Sequence, residues 1–123
     1  MFQQIPAAGP VIAVAFSNRV SKEDIRNYES ILEEKLSKHD KVALCVDLNG
    51  TSDFTADALV EGAKADLELL SHLRQVRRMA MISDKEWPRA VMAAVAPLLG
   101  GTEVRHFAAG EREKALTWAA ELA

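Results

Sequence analysis

Three continuous apolar runs, each followed by a segment of helical periodicity, constrain this chain more than any other feature. They are Val11-Ile-Ala-Val-Ala-Phe16, Val42-Ala-Leu-Cys-Val46 and Arg78-Met-Ala-Met-Ile82. A strand with one face in water alternates apolar and polar residues, whereas an unbroken apolar run marks a strand covered on both faces. Thr102 to Phe107 supplies a shorter final strand. Phe2 to Ile5 reads as a short partner strand, turned by Ala7-Ala-Gly-Pro10.

Between the strands the period changes to that of a helix. Ser21 starts the first helix with Asp24 three residues on, a capping-box-like pair, and Ile25, Tyr28, Leu32 and Leu36 form one apolar face. The second helix is expected from about Thr55 to Leu73, after a polar turn from Asp47 to Phe54. Ser83-Asp-Lys-Glu86 is an S-x-x-E start for the third helix, which carries Pro88 in its first turn and stops at Gly100-Gly101. Glu111 to Leu122 forms the fourth, with Ala115, Trp118, Ala119 and Leu122 inward. Strands alternating with helices imply right-handed βαβ units. The expected fold is therefore α/β, a single domain over 1–123 with a mainly parallel four- to five-stranded sheet and four helices.

Composition narrows the function classes. A chain of 123 residues with 49% hydrophobic residues has enough apolar surface for a packed core. One cysteine excludes a disulfide framework and any multi-cysteine zinc site. A net charge of -3 is the wrong sign for a nucleic-acid footprint. The apolar run from Ala90 to Leu99 is half of the roughly 20 residues that span a bilayer. The start, Met-Phe-Gln-Gln-Ile-Pro, shows neither the basic region nor the apolar core of a signal peptide. These features read as a cytoplasmic protein without an integral membrane segment.

In a parallel sheet, ligands favour the edge where strands end and helices begin. This chain places Asp47, Asn49, Gly50, Thr51, Ser52, Asp53 and Thr55 after one strand, Ser83, Asp84 and Lys85 after the next, and Ala109-Gly110 after the last. Thr55 (or Asp53) and Ser83 read as helix caps. Asp47, Asp53 and Asp84 would make acid–base or cation chemistry only if they converged, and no phosphate loop, H-E-x-x-H or G-x-S-x-G accompanies them. His39, His72 and His106 match no metal-site spacing. Cys45, mid-strand, reads as an inert core residue. No catalytic residue, metal ligand or cofactor is assigned. Arg74, Arg77 and Arg78 form the one local basic cluster and read as a solvated loop, with an anionic partner or lipid headgroup as the sharper reading.

The segment from Trp87 to Leu99 is the unusual one. Trp87, Val91, Val95 and Leu98 make a stripe, while Ala90, Met92, Ala93, Ala94, Ala96 and Leu99 leave almost no polar face. A helix apolar all round is either buried within the chain or covered from outside it.

Several segments together resemble the SpoIIAA-like family, a bacterial group related to the STAS domain of anti-sigma-factor antagonists. They are Ser21-Lys-Glu-Asp24 with Tyr28, Lys41-Val-Ala-Leu-Cys-Val-Asp47, Asp53-Phe-Thr55, Arg78-Met-Ala-Met-Ile-Ser-Asp-Lys-Glu-Trp87, and Val104-Arg-His-Phe107 with Ala115 to Trp118. The resemblance implies a STAS-like fold and a non-enzymatic module that binds proteins, nucleotides or lipid-like molecules. In antagonist proteins a serine at the start of the second main helix is phosphorylated. Here that region reads Asp53-Phe-Thr55-Ala56-Asp57 and lacks the Asp-Ser-Ser/Thr-Gly pattern, so Thr55, then Ser52, is the nearest hydroxyl.

Three readings follow. The first is docking of a protein partner, or a second copy in a homodimer, through Trp87, Val91, Met92, Val95 and Leu99. The second is carriage of a lipid-like ligand, with Phe54 and Trp87 at the cavity mouth. The third is a phosphorylation switch at Thr55 or Ser52.

Overall fold

A computed structural model of the chain describes residues 2–7, 9–58, 60–61, 75–86 and 102–121. Its elements are β1 (Phe2–Gln4), β2 (Val11–Val20), α1 (Lys22–Lys38), β3 (Val42–Phe54), β4 (Val76–Ile82), β5 (Glu103–Phe107), a 3-10 turn (Ala109–Glu111) and α2 (Arg112–Ala120). Helical backbone also begins at residues 56–58 and 60–61, and again at Glu86. The remainder of the second and third expected helices lies outside the described residues.

The strands form one five-stranded sheet in the order β1-β2-β3-β4-β5. β1 runs antiparallel to β2, and every other neighbouring pair is parallel. This is the mainly parallel α/β sheet that the apolar runs dictate. Both faces are covered, as unbroken apolar strands require. On one face Ile12, Val14, Leu44, Val76 and Met79 pack with Ile25, Leu32 and Leu36 of α1 and with Ala58. On the other, Ala13, Ala43, Cys45, Ala80 and Ile82 meet Ala115 and Ala119 of α2. Small side chains on both sides of this second layer let the short helix lie close to the sheet.

Ser21 caps α1 as its spacing predicts. Its hydroxyl accepts from the Asp24 N–H at 3.3 Å, and the Asp24 carboxylate accepts from the Ser21 N–H at 2.9 Å. The other end is closed by a residue that the sequence did not single out. Gln75 Nε2, just before β4, donates to the carbonyls of Leu36 and His39 at 2.9 and 3.1 Å. Two of the carbonyls left over at the helix end are thereby satisfied across 36 or more residues of chain.

Two boundaries differ from the sequence reading. Asp47 to Phe54, expected as a polar turn, continues β3 and pairs with a β2 that runs on to Val20. Leu48 and Thr51 are buried there, and the Thr51 hydroxyl donates to the Phe16 carbonyl at 3.1 Å. Irregularities between Ala15 and Ser17 and between Asn18 and Arg19 insert extra β3 residues, which breaks the period-two pattern. Gly50 makes a close approach in this stretch: a Cβ there would lie 3.3 Å from that of Ser17, tighter than most Cβ contacts. The second difference is β4, which begins at Val76, two residues before the expected start at Arg78, and so draws Arg77 into the sheet.

Candidate functional site

The carboxyl edge of the sheet is held by a chain of polar contacts linking β3, the turn after β4 and the start of α2. Asp47, at the last β3 position paired with β4, is 7% exposed. Its Oδ2 accepts from Arg112 Nη2 at 2.6 Å and from Arg112 Nε at 3.1 Å. Its Oδ1 accepts from the Asn49 N–H at 3.0 Å. The Asn49 side chain in turn accepts from the Asp84 N–H at 3.0 Å, and the Asp84 carboxylate accepts from the Ala109 N–H at 3.0 Å. Lys85 Nζ donates to the Thr51 carbonyl.

These contacts decide what the acidic residues do. Asp47 neutralises Arg112 across the fold, Asp84 fixes the turn before α2, and Asp53 pairs with Arg19 at 3.5 Å on the outer arm. The three carboxylates do not converge. Each stabilises a different junction, and two of them accept backbone N–H groups that would otherwise be unmatched. A cavity of about 250 Å3 opens beside them, lined by Gln3, Ala15, Phe16, Ser17, Asp47, Asn49, Gly50, Ala109 and Arg112.

Thr55 sits where β3 passes into the second helix. Its N–H donates to the Val20 carbonyl at 2.9 Å, and its hydroxyl accepts from the Ala58 N–H at 3.2 Å, making it the cap expected there. The same hydroxyl donates to the exposed Asp57 carboxylate at 2.5 Å, which holds the Asp57 pKa below its ordinary value. Ser52 is exposed, with its hydroxyl 3.3 Å from the Asp53 carboxylate. Ser83 is buried and accepts from the Lys85 N–H at 3.0 Å. Phe54 ends β3. Trp87, Val91, Met92, Val95 and Leu99 lie outside the described residues, as do Arg74 and His72.

Arg78 is not part of a solvated loop. Its Nη1 donates to the Trp118 carbonyl in the last turn of α2 at 2.6 Å, and its guanidinium lies 4.8 Å from the centre of the Trp118 ring. Glu103 and Glu121 stand 4.0 Å away. A cation at a helix C-terminus that also stacks on an aromatic face pins α2 to β4. Arg112 ties the other end of α2 to β3 through Asp47, so two arginines bracket a helix whose buried face is two alanines. Cys45 is fully buried; burial first, and the Asp47 carboxylate second, push its thiol up to about 11. Such a thiol carries almost no thiolate near neutrality and is a poor nucleophile.

With this geometry in view, a sequence model of the family described as SpoIIAA-like matches residues 11–120. No protein of curated function matches the chain. Among solved structures, the chain is similar to the crystal structure of an uncharacterized protein of the DUF3478 family with a SpoIIAA-like fold, from Shewanella loihica PV-4. The two share 18% identity with a TM-score of 0.71, over 96% of this chain and 93% of that one. At that identity the likeness speaks for the fold alone.

Proposed function

The chain belongs to the SpoIIAA-like family, and from that premise we propose that it is a non-enzymatic binding and regulatory module. It docks a protein partner through residues 87–99. The edge where a substrate would gather supports the first half of this reading, because its carboxylates are spent on holding the fold. The observation that carries the second half is one of contrast. Among the described residues, Val60 is the large hydrophobic side chain left exposed, whereas residues 87–99 combine Trp87, Val91, Met92, Val95, Leu98 and Leu99 with almost no polar face. Met92 suits a surface that must adapt to its partner.

The test is a pair of substitutions, Val91→Glu and Val95→Glu, each checked for folding by circular dichroism. A charge placed in a desolvated interface weakens binding by about tenfold or more. Association that survives both substitutions unchanged refutes docking through this segment.

A lipid-like ligand held behind Phe54 and Trp87 is the second reading, and the same apolar segment favours it. Native mass spectrometry after gentle purification reads it directly: an added lipid mass supports carriage, and a bare chain mass in repeated preparations removes it. A switch at Thr55 is the third. A phosphate there gains the N–H groups of a helix start, but it displaces the cap to Ala58 and meets the Asp57 carboxylate. Thr55→Glu reads it through partner affinity, which a switch must change. Ser52, exposed and not acting as a cap, is the second hydroxyl for such a switch, and a phosphate there would meet the Asp53 carboxylate.

A further inference from the structure

We infer that β5 is a self-pairing edge, through which two copies of the chain join their sheets in one antiparallel register. The inference goes beyond partner docking at residues 87–99 and does not depend on it.

Among the described residues β5 pairs with β4 alone and forms the end of the sheet. The Ser83 N–H donates to the Phe107 carbonyl at 3.0 Å, so Phe107 turns its backbone groups towards β4. Alternation along the strand turns those of Arg105 and Glu103 the same way, and sends the N–H and C=O of Val104 outward. The side chains of Glu103, Arg105 and Phe107 share the α2 face, with the Arg105 guanidinium 5.1 Å from the Phe107 ring centre.

Two-fold pairing on the outward groups of Val104 makes Val104 opposite Val104 the hydrogen-bonded pair. The flanking positions are then the closely spaced pairs without hydrogen bonds, whose Cα atoms approach to about 4.5 Å. Those positions set Glu103 of one copy against Arg105 of the other, twice. Shifting the centre by one residue would instead oppose Arg105 to Arg105. The sequence Glu-Val-Arg therefore favours by charge the register centred on Val104 over the one centred on Arg105. A charged edge strand ordinarily discourages pairing with other chains, and here its pattern is complementary only to itself. A groove of about 400 Å3, lined by Arg105, Lys114, Thr117, Trp118 and Glu121 among others, runs beside the edge on the same face and leaves room for the partner's side chains. Five residues of strand fall short of the roughly 1,200 Å2 of a stable interface, so the dimer is weak and dependent on concentration and salt.

Sedimentation velocity across a concentration series tests this. The wild-type chain should show a monomer–dimer equilibrium that shifts towards monomer as salt rises. By symmetry, Glu103→Arg or Arg105→Glu each turns two attractive pairs into two repulsive ones, and should weaken the dimer on the order of tenfold. Combining them restores opposite charges and should bring the dissociation constant back to within about threefold of wild type. Should either reversal disturb folding, Glu103→Gln and Arg105→Gln delete the charges gently and should still weaken the dimer. A wild-type chain that stays monomeric, a dimer indifferent to single reversals, or single losses that the double exchange fails to repair would each overturn the inference.

Discussion

Replacing Arg112 with methionine is the sharpest probe of how the carboxyl edge is held. The substitution keeps an unbranched apolar stem, though a shorter one, but leaves the Asp47 carboxylate, 7% exposed, without its cation. The lost contacts are two hydrogen bonds to one oxygen, at 2.6 and 3.1 Å. Removing one partner of a fully buried ion pair costs about 3–5 kcal/mol. Two features reduce that here: the Arg112 side chain is 45% exposed, and the Asn49 N–H remains on the other carboxylate oxygen. A single charge-assisted hydrogen bond is worth about 1.5–3 kcal/mol, so the expected loss is about 2 kcal/mol. Asp47→Asn keeps an acceptor for Asn49 and releases a half-exposed arginine to water, so about 1 kcal/mol is expected. The double variant Asp47→Asn/Arg112→Met should lose less than the sum, since each change removes the reason for the other. Urea unfolding read by linear extrapolation measures all three. An Arg112→Met loss below about 0.5 kcal/mol with an unchanged denaturant slope, or strict additivity in the double variant, refutes this account of the edge.

Other predictions follow from the same contacts. Ser21→Ala removes the hydroxyl half of the α1 capping box, leaves the backbone N–H of residue 21 on the Asp24 carboxylate, and should cost about 1 kcal/mol in urea unfolding at neutral pH. Burial raises the Asp24 pKa, but the hydrogen bonds from Ser21 outweigh it and leave the value below 3.8. That stability is present above the unfolded value and fades as pH falls through the folded one, so the Ser21→Ala deficit should shrink below about pH 4. Cys45, raised to about 11 from 9.0, should resist a thiol-reactive disulfide at pH 8 until the chain unfolds. Its contribution to stability holds below pH 9.0 and is lost as pH climbs towards 11. Rapid labelling of the native chain contradicts the packing described for that face. Arg78→Lys keeps the charge but loses the flat stack on Trp118; a thermal shift downward of a few degrees is expected, and no shift removes the clasp.

Much of the sheet was legible because its central strands obey a rule with few exceptions: runs such as Val42 to Val46 have no other place to go than a doubly covered sheet. The Ser21–Asp24 cap was legible because its geometry fixes a spacing of three. Less visible was the extension of β3 through Asp47 to Phe54, where extra residues at the β2 pairing break the period, and Gly50 with Asn49 mimics a turn. The roles of Gln75, Arg78 and Arg112 depend on partners between 36 and 65 residues away. No local pattern encodes such a partnership; a lone arginine in a first helical turn was the faint sign at Arg112. The acidic residues illustrate the same limit. Asp47, Asp53 and Asp84 stand close to one edge in the sequence reading, and only the pairing of each with its own cation or N–H group separates scaffold from chemistry.

We propose that residues 87–99 act by being covered by another protein. Hydrogen–deuterium exchange over that segment, in the chain alone and bound to the protein it retains from cell extract, addresses it most directly. The account predicts slowed exchange at residues 87–99 in the complex, and no retention of that protein by Val95→Glu. Unchanged exchange there with protection elsewhere, or full retention by Val95→Glu, contradicts it.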